Sequence, residues 1–144
     1  MLLQVARRRI LEGTLPHATS TERERLVSLT RARIHIHESL QDAWTVPSMA
    51  RLVNLSPNRF AVLYKQFFRV SPTDDLLWRR LDHAKHLLSS TNVSVGEAAG
   101  LCGFNNIYYF SRMFRQRLGI PPSVYAHRKR HAVLDVNTSL DTHP

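Results

Sequence analysis

Tyr108, Ser111, Arg112 and Arg115 recur at intervals of three, one and three residues within IYYFSRMFRQRL, residues 107–118. On an α-helix that spacing puts all four on one face. Such a face can hydrogen-bond to a polar, anionic surface. A guanidinium is a planar fork of donors that fits phosphate oxygens, or the O6 and N7 edge of guanine. A serine hydroxyl both donates and accepts. On the other side fall Phe110, Met113 and Phe114, at i, i+3 and i+4, an apolar stripe suited to a core. Ile107 and Tyr109 flank the two faces. Arg117 falls on the buried line, near the helix end, where a long side chain can snorkel.

The element that carries this face has an echo earlier in the chain. Val46, Met49, Ala50, Val53, Asn54 and Leu55 correspond to Val95, Ala98, Ala99, Cys102, Gly103 and Phe104 at a fixed offset of 49. Phe60, Leu63, Tyr64 and Phe68 correspond to Phe110, Met113, Phe114 and Leu118 at an offset of 50. Val70, Ser71 and Pro72 then match Ile120, Pro121 and Pro122. Each unit reads as a helix, a tight Asn or Gly turn and a second helix, the pattern of a helix-turn-helix. In the first unit the buried stripe is Phe60, Leu63, Tyr64 and Phe67, with Asn58, Ala61, Val62, Lys65 and Arg69 facing outward. Ser56 and Asn106 stand as N-caps, so the N–H groups behind them are available to phosphates.

Around these pairs the chain reads as all-α, with about seven helices. Residues 1–12 suggest a short basic helix and 12–20 a linker. A helix follows from Ser20, with a capping box of Thr21 and Glu24 and a stripe of Leu26, Leu29, Ile34 and Leu40. A central helix runs from Pro72 to about Ser89, capped by Ser71. Asp74 and Asp75 suit its positive end, and Leu77, Leu81, Ala84 and Leu88 line one face. It has no internal Gly or Pro and, at about 27 Å, should hold the two units apart. Ser94 and Glu97 form a second capping box. The expected division is an N-terminal segment (1–30), a first unit (31–71), a linker helix (72–90), a second unit (91–131) and a flexible tail (132–144).

The 144 residues include 20 Lys and Arg, 17 of them Arg, against 11 acids, for a net charge of +9. No acid lies between Glu97 and Asp135, while Arg112, Arg115, Arg117, Arg128, Lys129 and Arg130 fall inside that stretch. This balance points to a polyanionic partner. The single cysteine, Cys102, excludes an internal disulfide and favours a reducing compartment. No apolar run reaches the roughly 18 residues of a membrane span. MLLQVARRRIL lacks a signal-peptide core. The expected location is cytoplasmic.

These motifs resemble the AraC/XylS family of bacterial transcription regulators. In the first unit the resemblance rests on Ala50, Asn54, Ser56, Phe60 and Tyr64, and in the central helix on Arg80, Leu81, Ala84, Leu87 and Leu88. In the second unit it rests on Ala99, Gly103, Phe104, Phe110, Ser111, Arg112, Phe114, Gly119, Pro122 and Tyr125. It covers roughly residues 31–128. It implies a homeodomain-like tandem of two helix-turn-helix subdomains joined by a rigid helix, each placing a recognition helix in the major groove. By position, Asn58, Ala61 and Val62 would read bases in the first unit, and Ile107, Tyr108, Ser111 and Arg112 in the second. Arg59, Lys65 and Arg115 complete the implied DNA-binding set. Ala61 and Val62 stand where the family often has polar or basic residues, and they suit thymine methyls. Asn54 and Arg69 stand where it usually has glycine, and Ala126 where an Arg is common. The implied role is a transcriptional activator whose partners are double-stranded promoter DNA and RNA polymerase, with a homodimer formed through a missing or N-terminal region. No membrane, cofactor or metal is implied. Most members carry an effector-binding domain upstream. MLLQVARRRIL resembles the end of one, so a fragment of a longer regulator is expected ahead of a short stand-alone member.

Other features point elsewhere. His127 and His131 have the i, i+4 spacing of zinc ligands, but the intervening RKR supplies no carboxylate and repels a metal. His83 and His86, and His35 and His37, do not form sites. Cys102 aligns with Val53 and reads as core filler. Trp44 and Trp78 are expected between subdomains, with Trp78 also able to graze DNA. No catalytic triad or carboxylate pair stands out, so the chain does not read as an enzyme. The alternatives are a helical protein-interaction module with a basic face and a small metal-dependent hydrolase.

Overall fold

The computed structural model describes residues 19–140, with side chains as far as residue 134. The expected short helix at 1–12 lies outside the described residues. Within them the chain is all-α: α1 (Ser20–Glu38), α2 (Val46–Arg51), α3 (Pro57–Phe68), α4 (Pro72–Ser90), α5 (Val95–Leu101), α6 (Ile107–Leu118) and α7 (Pro122–Leu140). The described residues divide into two compact units, one of residues 19–39 and 44–75, the other of residues 40–43 and 76–140.

In the first unit α1 opens with a capping box, but the cap is Thr19, not Thr21. Its hydroxyl accepts from the Glu22 N–H and the Glu22 carboxylate takes the Thr19 N–H. Two overlapping Thr-x-x-Glu pairs lie in TSTERE, and the helix uses the first. The buried stripe is Leu26, Leu29, Ala32 and Ile36, so Ile36 holds the core place expected for Ile34. Met49, Ala50, Phe60, Leu63 and Tyr64 are buried in the same unit. The boundary expected at residue 31 falls inside α1, a single helix of this unit.

Asp75 shows what the helix-dipole reading misses. It is 5% exposed and takes a bidentate pair of bonds from Arg33, at 2.8 and 2.9 Å. His37 Nε2 lies 2.9 Å away, and the Tyr64 hydroxyl donates to the same carboxylate. Burial alone would raise the Asp75 pKa. The bonds from His37, Arg33 and Tyr64 outweigh it and hold the carboxyl well below its usual range. Burial, then the bond to Asp75, pushes the Tyr64 phenol far above its usual value. Arg33 also stacks over the Phe68 ring at 4.6 Å. Trp44 belongs to this unit, where its indole N–H donates to the Ser39 carbonyl and its ring meets His35 edge-on.

The second unit buries Leu81, Ala84 and Leu88 of α4 against Ala98, Ala99, Cys102, Phe104, Phe110, Phe114 and Ala126. Cys102 is fully buried, and burial pushes its thiol up to about 11. Gly103 has φ +88°, and a Cβ there would stand 2.3 Å from the Leu40 carbonyl oxygen and 2.9 Å from Arg80 Nε. Arg80 occupies that space because it ties down residues 40–43, donating to the Leu40 and Asp42 carbonyls at 3.0 and 2.7 Å. Arg117 resolves its mismatch by stacking over the Trp78 ring at 4.7 Å while remaining exposed. α7 runs on to Leu140, through the first part of the segment read as a tail.

Candidate nucleic-acid interface

The turn of the repeat is reproduced in matched backbone bonds. The Leu55 N–H donates to Ala50 O and the Phe104 N–H to Ala99 O, at 3.1 and 2.9 Å. Asn54 (φ 54°) and Gly103 (φ 88°) turn the chain between the paired helices. Ser56 Oγ accepts from the Arg59 N–H and Asn106 Oδ1 from the Tyr109 N–H, starting α3 and α6 fifty residues apart. Both helices are 12 residues long and both end in a left-handed cap, Arg69 (φ 61°) and Gly119 (φ 81°). Each second helix therefore presents the same face in its own unit.

On α6, Phe110 and Phe114 are fully buried and Met113 half-buried. Tyr108 is 84% exposed and Arg112 and Arg115 are exposed, while Ser111 is half-buried. The adjacent tyrosines divide as the helical wheel requires. Tyr108 points away from the core, and Tyr109, half as exposed, has its ring centroid 6.3 Å from that of Phe104. The Arg112 guanidinium lies 5.7 Å from the Tyr109 ring centroid. Ile107 is 43% exposed and its Cδ1 lies 3.6 Å from where a Cβ on Gly96 would be. It therefore packs partly onto α5.

On α3, Asn58, Arg59 and Lys65 are exposed, Val62 is 45% exposed and Ala61 is half-buried. Ala61, Val62 and Lys65 line an open depression of about 560 Å³ with Gln66, Arg69, Ser71 and Pro72. Gln66 and Arg69 are absent from the residues singled out as base or phosphate contacts. Their signal was spacing, since each lies four residues beyond Val62 or Lys65. The first turns also differ. Pro57 has no N–H and Ser56 takes that of Arg59, so α3 keeps only the Asn58 donor without an internal acceptor among the described residues. α6 keeps those of Ile107 and Tyr108.

Among the described residues none of Arg112, Arg115, Arg117, Arg128, Lys129 and Arg130 has a carboxylate partner. His127 and His131 stack edge-on at 4.3 Å. No group of three His, Cys, Asp or Glu side chains among the described residues converges as a metal site would require. No helix among them is long and apolar enough to cross a membrane.

Known proteins share this arrangement. A model of the helix-turn-helix domain family matches residues 49–128. The MmsAB operon regulatory protein of Pseudomonas aeruginosa is 31% identical over 129 residues, covering 90% of this chain and 42% of that protein. The arabinose operon regulatory protein of Escherichia coli is 34% identical over 110 residues, 74% of this chain and 37% of that protein. The chain thus spans less than half the length of these relatives. Among solved structures, the DNA-binding domain of AdpA, a global transcriptional factor crystallised with a target DNA, superposes with a TM-score of 0.70. It is 27% identical, over 73% of this chain and 95% of that domain. The C-terminal domain of AraT, a response regulator from Geobacillus stearothermophilus, gives 0.66 at 30% identity, over 69% of this chain and 84% of that one. With two capped helix pairs in register and a family match over more than half its length, the chain belongs to the AraC/XylS family of helix-turn-helix transcriptional regulators.

Proposed function

We propose that this chain binds double-stranded DNA by placing α3 and α6 in major-groove segments, and that it regulates transcription from the sites it selects. The observation that carries the reading is the outward face of α6. Tyr108, Arg112 and Arg115 stand exposed there, without carboxylate partners among the described residues, in a stretch with no acid from residue 98 to 134. Arg112 is assigned to a guanine edge, Ser111 and Tyr108 to neighbouring bases, and Arg115, Arg59 and Lys65 to phosphates. On α3, Val62 and Ala61 suit thymine methyls and Asn58 suits adenine. Activation through RNA polymerase, cytoplasmic residence and pairing of two copies through an N-terminal region extend the proposal. They follow the family's longer members, and transcription from a promoter carrying the selected site tests them.

The binding test is duplex affinity across salt. Each phosphate neutralised contributes about −0.9 to the slope of log affinity against log salt. Several contacts give a steep negative slope, and a flat dependence would remove the nucleic-acid reading.

A further inference from the structure

Arg69 is the one feature of the repeat that breaks a backbone rule without a structural return. Its φ of 61° lies in the left-handed region, where the equivalent position of the second unit holds Gly119 at 81°. Side chains on L-residues disfavour this conformation, and among the described residues only Asn54, of a type that tolerates it, shares it without being glycine. The Arg69 side chain does nothing inside the fold to offset that strain. It is exposed and has no ion pair, hydrogen bond or ring contact among the described residues. Backbone strain kept against a cheaper alternative marks a functional position.

Its surroundings suggest which function. Arg69 borders the same depression as Ala61, Val62 and Lys65, so it continues the outward face of α3 by one turn. α3 has 12 residues and is about 18 Å long, whereas the major groove is about 12 Å wide. A helix lodged in that groove must run out over the sugar–phosphate walls at its ends, as homeodomain recognition helices do at their C-terminus. The last turn of α3 is where a cation meets phosphate.

We propose that Arg69 is a phosphate contact of the first unit and that its strained cap is retained for that contact. The inference rests on the duplex-binding reading. It is tested with the whole chain carrying Arg69→Asn, Arg69→Lys or Arg31→Asn. Arg31→Asn removes an equal charge from an exposed position on α1, whose Arg33 stacks over Phe68 of α3. Asn accepts the left-handed backbone, so Arg69→Asn should raise the melting temperature by about 2–4 °C. The same variant should bind specific and scrambled duplexes about eight-fold more weakly at about 0.1 M salt, with a slope shallower by about 0.9. Arg69→Lys should keep the wild-type slope, and so should Arg31→Asn. If Arg69→Asn gains stability while affinity and slope stay at wild-type values, Arg69 is not a phosphate contact. If the wild-type chain itself shows no salt-dependent binding, the duplex reading fails and takes this role with it.

Discussion

At the scale of single residues, the proposed reading gives the two outward faces unequal shares of recognition. The α6 face carries Tyr108, Ser111 and Arg112, all able to hydrogen-bond a base edge, whereas α3 offers a methyl, an isopropyl group and one amide. Arg112→Ala should therefore cost about 1–3 kcal/mol at a site with its guanine and much less at a site without it, relaxing selection at one position. Lys65→Ala should weaken all duplexes by the same factor. Competition binding with matched and single-substituted duplexes measures both. Equal losses on cognate and scrambled DNA for Arg112→Ala would assign that arginine to phosphate.

At the scale of elements, the repeat allows the two units to be compared position by position. Tyr64 and Asp75 in the first correspond to Phe114 and Tyr125 in the second, offset by fifty residues. One unit fills that place with a buried hydrogen-bonded carboxylate, the other with two rings at 5.7 Å. Only the first unit should respond to acid through this place. The folded pKa of Asp75 is depressed, so its contribution is complete above the usual carboxylate value and is lost as pH falls. The unfolded chain takes up the proton first, near 3.8, while the native carboxylate still resists it. Melting of α1 and α3 should deepen below about pH 4. Asp75→Ala should remove that dependence while destabilising the unit by about 3–5 kcal/mol, because Arg33 loses its counter-charge in a largely buried place. Unfolding followed from pH 2 to 7 in both proteins checks this; an unchanged pH profile in the variant would contradict it.

The turns allow a second comparison. Gly103→Ala places a methyl group against the Leu40 carbonyl in a backbone region that alanine avoids, and should cost about 3 kcal/mol or more. Gly100, inside α5 with open space around its Cβ position, should gain about 0.5–1 kcal/mol as Ala. Urea titration of the two variants reads opposite shifts in midpoint.

At the scale of the whole molecule, what was legible in the sequence is what local chemistry and the repeat dictate. Ser56, Asn106, Ser94 and Gly103 announce caps and turns through their own side chains or lack of one, and they stand where expected. Repetition of Phe60, Leu63 and Tyr64 as Phe110, Met113 and Phe114 fixed both inward faces, and therefore both outward ones. TSTERE offers the same capping pattern twice, and nothing local chooses Thr19 over Thr21. RIHIH alternates, and alternation does not choose between Ile34 and Ile36 for the buried face of a helix. Asp75 reads locally as a helix-end acid, because its partners Arg33 and His37 lie 42 and 38 residues away. Nothing in the sequence places Arg117 on Trp78, since that contact joins two helices through tertiary packing.

The central claim is that both outward faces read DNA, each in its own groove segment. It is tested most directly by selecting bound duplexes from a random-sequence pool with the whole chain and aligning what survives. The account predicts two informative boxes about 10–10.5 base pairs apart, one containing guanine and the other rich in A and T, with Arg112→Ala erasing information only in the first. Recovery of one box alone, or of no sequence preference at all, would contradict it.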